Sequence, residues 1–170
     1  MLKLAGLVID SIVDGPGIRV AIFTQGCSHH CKGCQNSETW SYDGGSELSV
    51  LEVVKIIQTN PMARGVTFSG GEPFDQASEL KSLGKKLKSL GYEVASYSGY
   101  TFEELVNGTK EQKELLETID ILVDGKFILE EKSLEVPFRG SKNQRIINVD
   151  KSLKAGTVVI ETSARWNGKY

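Results

Sequence analysis

All three cysteines of the chain fall within one short stretch, Cys27-Ser-His-His-Cys31-Lys-Gly-Cys34. The spacing C-x3-C-x2-C lets three thiolates hold three irons of a cubane [4Fe-4S] cluster, whereas ferredoxin-type clusters normally recruit a fourth thiolate. This chain has no fourth cysteine to offer. One iron would therefore keep an open position, as catalytic metal sites do and closed structural sites do not. An open iron on a redox cluster can bind and reduce a small molecule, which is enzyme chemistry. Two plainer readings compete. His29 and His30, the two histidines of the chain, lie between the first two cysteines and would allow a Cys3His zinc site, although zinc sites usually pair two separated knuckles. A disulfide with one leftover thiol is the other, and nothing in the chain looks secreted.

The elements that must carry this loop alternate along the chain. The β-branched run Arg19–Thr24 reads as a strand leading directly into the cysteines. Further strands are expected at 65–69, 92–97, 119–124, 144–149 and 157–161. Between them, Leu48, Leu51, Val54 and Ile57 recur at helical spacing, with Ser49-x-x-Glu52 as a capping box. Asp75 is placed to cap a second helix, whose stripe Leu80, Leu83, Leu87 and Leu90 stops at Gly91. Thr101-x-x-Glu104 opens another helix, broken at Asn107-Gly108 and resumed over 109–117. Asn107-Gly108-Thr109 also matches a glycosylation acceptor but reads as a turn.

Strands alternating with helices imply βαβ units, a parallel sheet and right-handed crossovers. A closed eight-fold barrel takes about 250 residues, and this chain has 170. The expected fold is therefore α/β, an incomplete, open (β/α) barrel with parallel strands and helices outside, in a single domain over 1–170. The cysteine loop follows the first of these strands, Gly70-Gly71-Glu72-Pro73 the second, Ser98-Gly99 the third and Gly125-Lys126 the fourth. In a parallel sheet such strand ends share the edge where ligands bind, so four unusual loops should meet at one mouth.

Composition sets the outer bounds. The apolar and charged fractions, 39% and 25%, are ordinary for a soluble protein. A net charge of −2 gives no reason to expect nucleic-acid binding. No apolar run approaches the ~20 residues that span a bilayer, and the first residues lack the long apolar core of a cleavable signal. No membrane partner and a cytoplasmic location, where thiols stay reduced, are the expectation.

At these residues the chain resembles the radical S-adenosylmethionine superfamily, through Cys27-x3-Cys31-x2-Cys34 followed by Gly70-Gly71-Glu72-Pro73. Further segments narrow the resemblance: Asp14-Gly-Pro-Gly-Ile-Arg19, Tyr97-Ser-Gly-Tyr100, Val123-Asp-Gly-Lys-Phe127 and Phe138-Arg-Gly-Ser-x-Asn143-Gln-Arg145. They are similar to the activating enzymes of anaerobic ribonucleoside-triphosphate reductases, over nearly the whole chain. The resemblance implies that Cys27, Cys31 and Cys34 ligate a [4Fe-4S] cluster and that S-adenosylmethionine chelates its open iron. Reductive cleavage of the sulfonium C–S bond would then give methionine and a 5′-deoxyadenosyl radical. That radical would take a hydrogen from a glycine of the large reductase, the protein partner. An external donor such as a flavodoxin or ferredoxin would supply the electron.

The same resemblance implies roles for further residues. Backbone at Gly70 and Gly71 would approach the methionine amino group, which glycine permits because it lacks a Cβ. Glu72, biased to extended geometry by Pro73, would orient that loop. Gly33, Cys34 and Gln35 would pass along the adenine, with no aromatic just before the third cysteine to stack on it. Ser96, Ser98, Asp124 and Lys126 are further ligand candidates, Lys126 for the methionine carboxylate and Asp124 for ribose hydroxyls or the ammonium. The plainer reading is that polar residues commonly end strands. Arg139 and Arg145 would dock the partner, or be solvated or salt-bridged. Asp14-Gly15-Pro16-Gly17 reads equally as a hairpin turn. Rival functions are activation of another glycyl-radical enzyme, a small-molecule radical catalyst such as a deazapurine-forming synthase, and a non-catalytic zinc or iron-sulfur module. The last leaves Gly70-Gly71-Glu72-Pro73 unexplained.

Overall fold

Side-chain alternation along the strands decides which face of the sheet the helices cover. A computed structural model describes residues 1–169. It contains strands β1 (Leu2–Ser11), β2 (Arg19–Thr24), β3 (Ser46–Leu48), β4 (Gly65–Gly70), β5 (Glu93–Ser98), β6 (Ile121–Asp124) and β7 (Arg145–Asn148). Its helices are α1 (Val50–Gln58), α2 (Ala77–Ser89), α3 (Phe102–Val106), α4 (Lys110–Thr118) and α5 (Val149–Ala155). Val20, Ile22, Val66, Phe68, Val94, Leu122 and Ile147 point to one face and form the main core with the apolar sides of the helices. Their neighbours Ala95, Ile121, Val123 and Ile146 point to the other face, where Trp166 covers them. Period-two alternation thus places the residues of the central strands on one of two covered faces.

The strands form one open sheet in the order β3-β1-β2-β4-β5-β6-β7. The four central strands, β2, β4, β5 and β6, are parallel. The expected all-parallel sheet is corrected at the edges, where β1, β3 and β7 pair antiparallel. The cause is connectivity. Residues 12–18 join β1 to β2 as a hairpin, and only a short 3-10 turn, Leu129–Glu131, and no α-helix, intervenes between β6 and β7; a parallel return usually needs a helical crossover. The expected strand at 157–161 is reduced to one isolated bridge, Ile147 to Ile160. Among the described residues no helix is long and apolar enough to cross a membrane.

Two helix expectations shift for local reasons. The Ser49–Glu52 capping box forms, and because it starts α1 at Val50, Leu48 stays in β3. The buried stripe then runs through Val53, Val54 and Ile57, while Leu51 is 66% exposed. Asp75 does not cap α2. Residues 73–76 form a 3-10 turn led by Pro73, and α2 begins at Ala77 without a side-chain cap. That releases Asp75 for another task.

Candidate functional site

The four loops converge as expected. Cys27, Cys31 and Cys34, then Gly70 to Glu72, then Ser98 and Gly99, and finally Gly125 line one open cavity of about 490 Å³. That volume is within the usual range for ligand pockets.

The cysteine loop is built from its own backbone and two aromatic anchors. Gly26 N donates to Thr39 O at 2.6 Å and Cys27 N to Trp40 O at 3.1 Å. The His30 ring stacks on Trp40 with centroids 4.8 Å apart. Asp75, free of capping, accepts hydrogen bonds from Ser28 N (3.2 Å), Tyr42 Oη (2.8 Å) and Tyr100 Oη (2.9 Å). Burial and the Asp75 carboxylate push the Tyr42 phenol up to about 12, and burial raises Tyr100 as well. Both stay protonated donors at neutral pH.

The glycine loop is pressed against the cysteine loop. Gly71 N donates to Thr24 O and Glu72 N to Gly26 O, each at 2.8 Å. A Cβ on Gly71 would lie 2.1 Å from the Gly26 carbonyl oxygen, one residue before Cys27. The positive φ, +93°, falls at Gly70, where a Cβ would also meet Thr24 N at 2.4 Å. Each glycine is thus required by a different constraint.

Glu72 ties three loops together. Its side chain is 1% exposed and accepts from Phe74 N (2.9 Å), Ser98 Oγ (3.0 Å) and Gly99 N (2.7 Å). It also receives the His29 ring, Nε2 to Oε1 at 2.7 Å, and that ring packs edge-on against Tyr100. Glu72 thereby bonds to its own loop, the cysteine loop and the loop after β5.

The donor set fits an iron-sulfur cluster better than a zinc ion. Both histidines between the cysteines already have partners, His29 with Glu72 and His30 with Trp40. Among the described residues no three Cys, His, Asp or Glu side chains converge tightly enough to hold a single ion. The three thiols instead all line the one cavity. Burial pushes the Cys27 thiol up, against hydrogen bonds from backbone at His29 and His30. A bound metal's charge would reverse that by deprotonating it.

The comparisons bear on this geometry directly. Residues 13–147 match the model of the 4Fe-4S single cluster domain, a span that contains every residue lining the cavity. The anaerobic ribonucleoside-triphosphate reductase-activating protein of Vibrio cholerae is 39% identical, covering 79% of this chain and 90% of its own length. The proteins of that name from Escherichia coli K12 and bacteriophage T4 are 32% and 34% identical, with 90% and 86% of their lengths covered. The chain belongs to this activating-protein family.

Within the family site, the remaining sequence-derived residues separate into two groups. Cys34 and Gln35 line the cavity, while Gly33, at φ +77°, turns the loop beside Leu129. Ser96 shares its parity with Val94, so it is fully buried and donates to Tyr97 O; Tyr97 lines the cavity in its place. Asp124 shares parity with Leu122 and is spent on Phe102 N at the start of α3 (2.8 Å) and on Arg145 (2.6 Å). Arg145 also pairs with Glu103 at 2.8 Å, and the Asp124 and Glu103 bonds hold its guanidinium above its ordinary range. Arg145 thus takes the salt-bridge alternative. Lys126 is exposed at a neighbouring shallow hollow shared with Glu103 and Arg145. Arg139, by contrast, lines the main cavity. Asp14 and Val13 also reach the cavity from the β1–β2 hairpin. Period-two parity, counted from the core residues, was the available signal for Tyr97 over Ser96.

Proposed function

We propose that this chain activates an anaerobic ribonucleoside-triphosphate reductase by generating a glycyl radical on it. Cys27, Cys31 and Cys34 would hold three irons of the cluster. The Gly70–Gly71 backbone would flank the amino end of S-adenosylmethionine. With cluster and cosubstrate bound, the pair supplies reductive C–S cleavage and a carbon radical able to abstract hydrogen. The chain's own contribution is positional. Glu72 and Asp75 keep the three loops in register, and the thiols and glycines line the same cavity, so electron donor and acceptor would meet at one place. The observation that carries the reading is the convergence of the three thiols and the Gly70–Glu72 loop on one cavity in a chain of this family.

Finer elements belong to the same proposal. The open sheet is read as an incomplete barrel of the radical S-adenosylmethionine type, working as a single domain over 1–170. Gln35, Gly33 and Ser98 are read as contacts along the cosubstrate. A flavodoxin- or ferredoxin-like donor in the cytoplasm would supply the electron. The cavity is open to solvent, which suits a protein loop as hydrogen donor better than an enclosed small molecule.

The test is anaerobic. Reconstituted protein, a strong reductant and S-adenosylmethionine are mixed with the cognate large reductase, and the paramagnetic doublet of a glycyl radical is sought. Its appearance on the reductase, and loss when the radical glycine is replaced by Ala, is the expected result. Absence of the doublet alongside turnover of a small molecule would overturn the proposal.

A further inference from the structure

The cavity is poor in cations. Among the residues that line it, Arg139 is the single lysine or arginine. It forms no ion pair among the described residues, and its guanidinium has one weak partner, Nη1 to Gln144 O at 3.4 Å. Its Nε is buried with no acceptor among the described residues. A guanidinium offers five donors in a planar fork that matches a carboxylate, and a buried donor without an acceptor is costly. The buried Nε is out of reach of a cavity ligand, so the terminal nitrogens are the donors that can pair with an anion there.

The backbone around it is fixed as though to aim it. Phe138 sits at φ +58°, which a non-glycine residue rarely adopts. It is held there because its carbonyl accepts from Tyr97 Oη at 2.8 Å and its ring packs edge-on against Trp166. On the other side Gly140 N donates to Gln144 Oε1 at 2.8 Å. Lys126, the residue expected from sequence to meet a carboxylate, lies outside this cavity.

The geometry points to Arg139 as the residue that receives the methionine carboxylate of S-adenosylmethionine, in a fork-to-carboxylate pair. This rests on the functional reading above, which puts that cosubstrate in the cavity. Analogues of the cosubstrate without the aminoacyl carboxylate would lose the contact, so Arg139 also sets specificity for the amino-acid end.

The test is binding, measured by anaerobic equilibrium dialysis on cluster-loaded protein with two probes, S-adenosylmethionine and its decarboxylated analogue. Arg139→Gln should weaken S-adenosylmethionine by about tenfold or more, the loss of a charge-assisted pair. It should change the decarboxylated analogue by less than about twofold, which also shows that the variant is folded. Arg139→Lys should recover part of the loss, a point charge replacing the fork, and Lys126→Gln should bind both probes as wild type does. Equal weakening of both probes would make Arg139 merely structural and overturn the assignment. Unchanged S-adenosylmethionine affinity with a lower radical yield on the reductase would overturn it too, and give Arg139 to the partner protein. Wild-type protein that holds its cluster yet binds neither probe would sink the functional reading itself, a result distinguishable from both.

Discussion

Replacing Glu72 by Gln tests whether the third residue of the glycine loop works by holding loops together. Gln keeps the shape but turns one acceptor oxygen into a donor. If the amide oxygen takes the Oε1 position it still receives Gly99 N and the His29 ring. The NH2 then faces Phe74 N, which loses its 2.9 Å acceptor, while the Ser98 hydroxyl can rotate to accept. One buried donor left unsatisfied costs about 1–3 kcal/mol. For a chain of this size that lowers the melting temperature by about 2–12 °C. Glu72→Ala also strands Gly99 N and the His29 ring beside an emptied, fully buried site, so it should cost more, about 3–5 kcal/mol. The assay is thermal or denaturant unfolding of cluster-free protein with no cosubstrate, so that ligand contacts cannot contribute. A Glu72→Gln protein that melts with wild type would refute the account, and a defect confined to cosubstrate affinity would make Glu72 a ligand contact instead.

Other substitutions probe separate parts of the site. Anaerobically prepared wild type should carry about four iron and four sulfide per chain, and Ala at Cys27, Cys31 or Cys34 should remove cosubstrate cleavage because no spare thiol exists; stoichiometric zinc without sulfide would count against the cluster. His29→Ala should keep its iron content near wild type, since its ring is bonded to Glu72; a metal-free variant would restore the zinc reading. Gly71→Val should lower iron content together with cosubstrate binding, because its Cβ would strike the Gly26 carbonyl beside Cys27; a variant with a full cluster and normal binding would show that the two loops separate freely. Burial alone would raise the Glu93 carboxyl, but hydrogen bonds and charge from Arg165 and Arg19 hold it below the usual range. Its contribution is therefore complete above the unfolded value of about 4.3 and is lost as pH falls from there through the folded value. Glu93→Gln should flatten that part of the acid-unfolding curve, and an unchanged slope would contradict the pairing.

Residue spacing exposed the chemistry more fully than it exposed the frame. The cysteines, the Gly70–Glu72 loop and the strands that end in them are read from local pattern, because each depends on a run of neighbouring residues. The strand β1 escaped because Leu2–Ser11 is regular only through its partners: β2 and β3 flank it, and its outer half stays exposed. Asp75 looked like a cap because caps are local, yet its acceptors are claimed by Tyr42 and Tyr100, residues far off in sequence. Ser96 and Asp124 failed to reach the cavity for separate reasons. Ser96 has the parity of the helix-packed core and lies two residues inside β5, so it is fully buried, while Ser98, of the same parity, reaches the mouth at the strand end. Asp124, the register partner of Ser98, is held instead by Phe102 N and Arg145. Arg139 is the converse case. It lies in a segment without regular structure, where neither parity nor period applies. Its direction is set by a left-handed Phe138 that Tyr97 and Trp166 hold in place. Tyr97 is itself the β5 residue whose parity turns it into the mouth, so the strand that keeps Ser96 out of the site is the one that brings Arg139 into it.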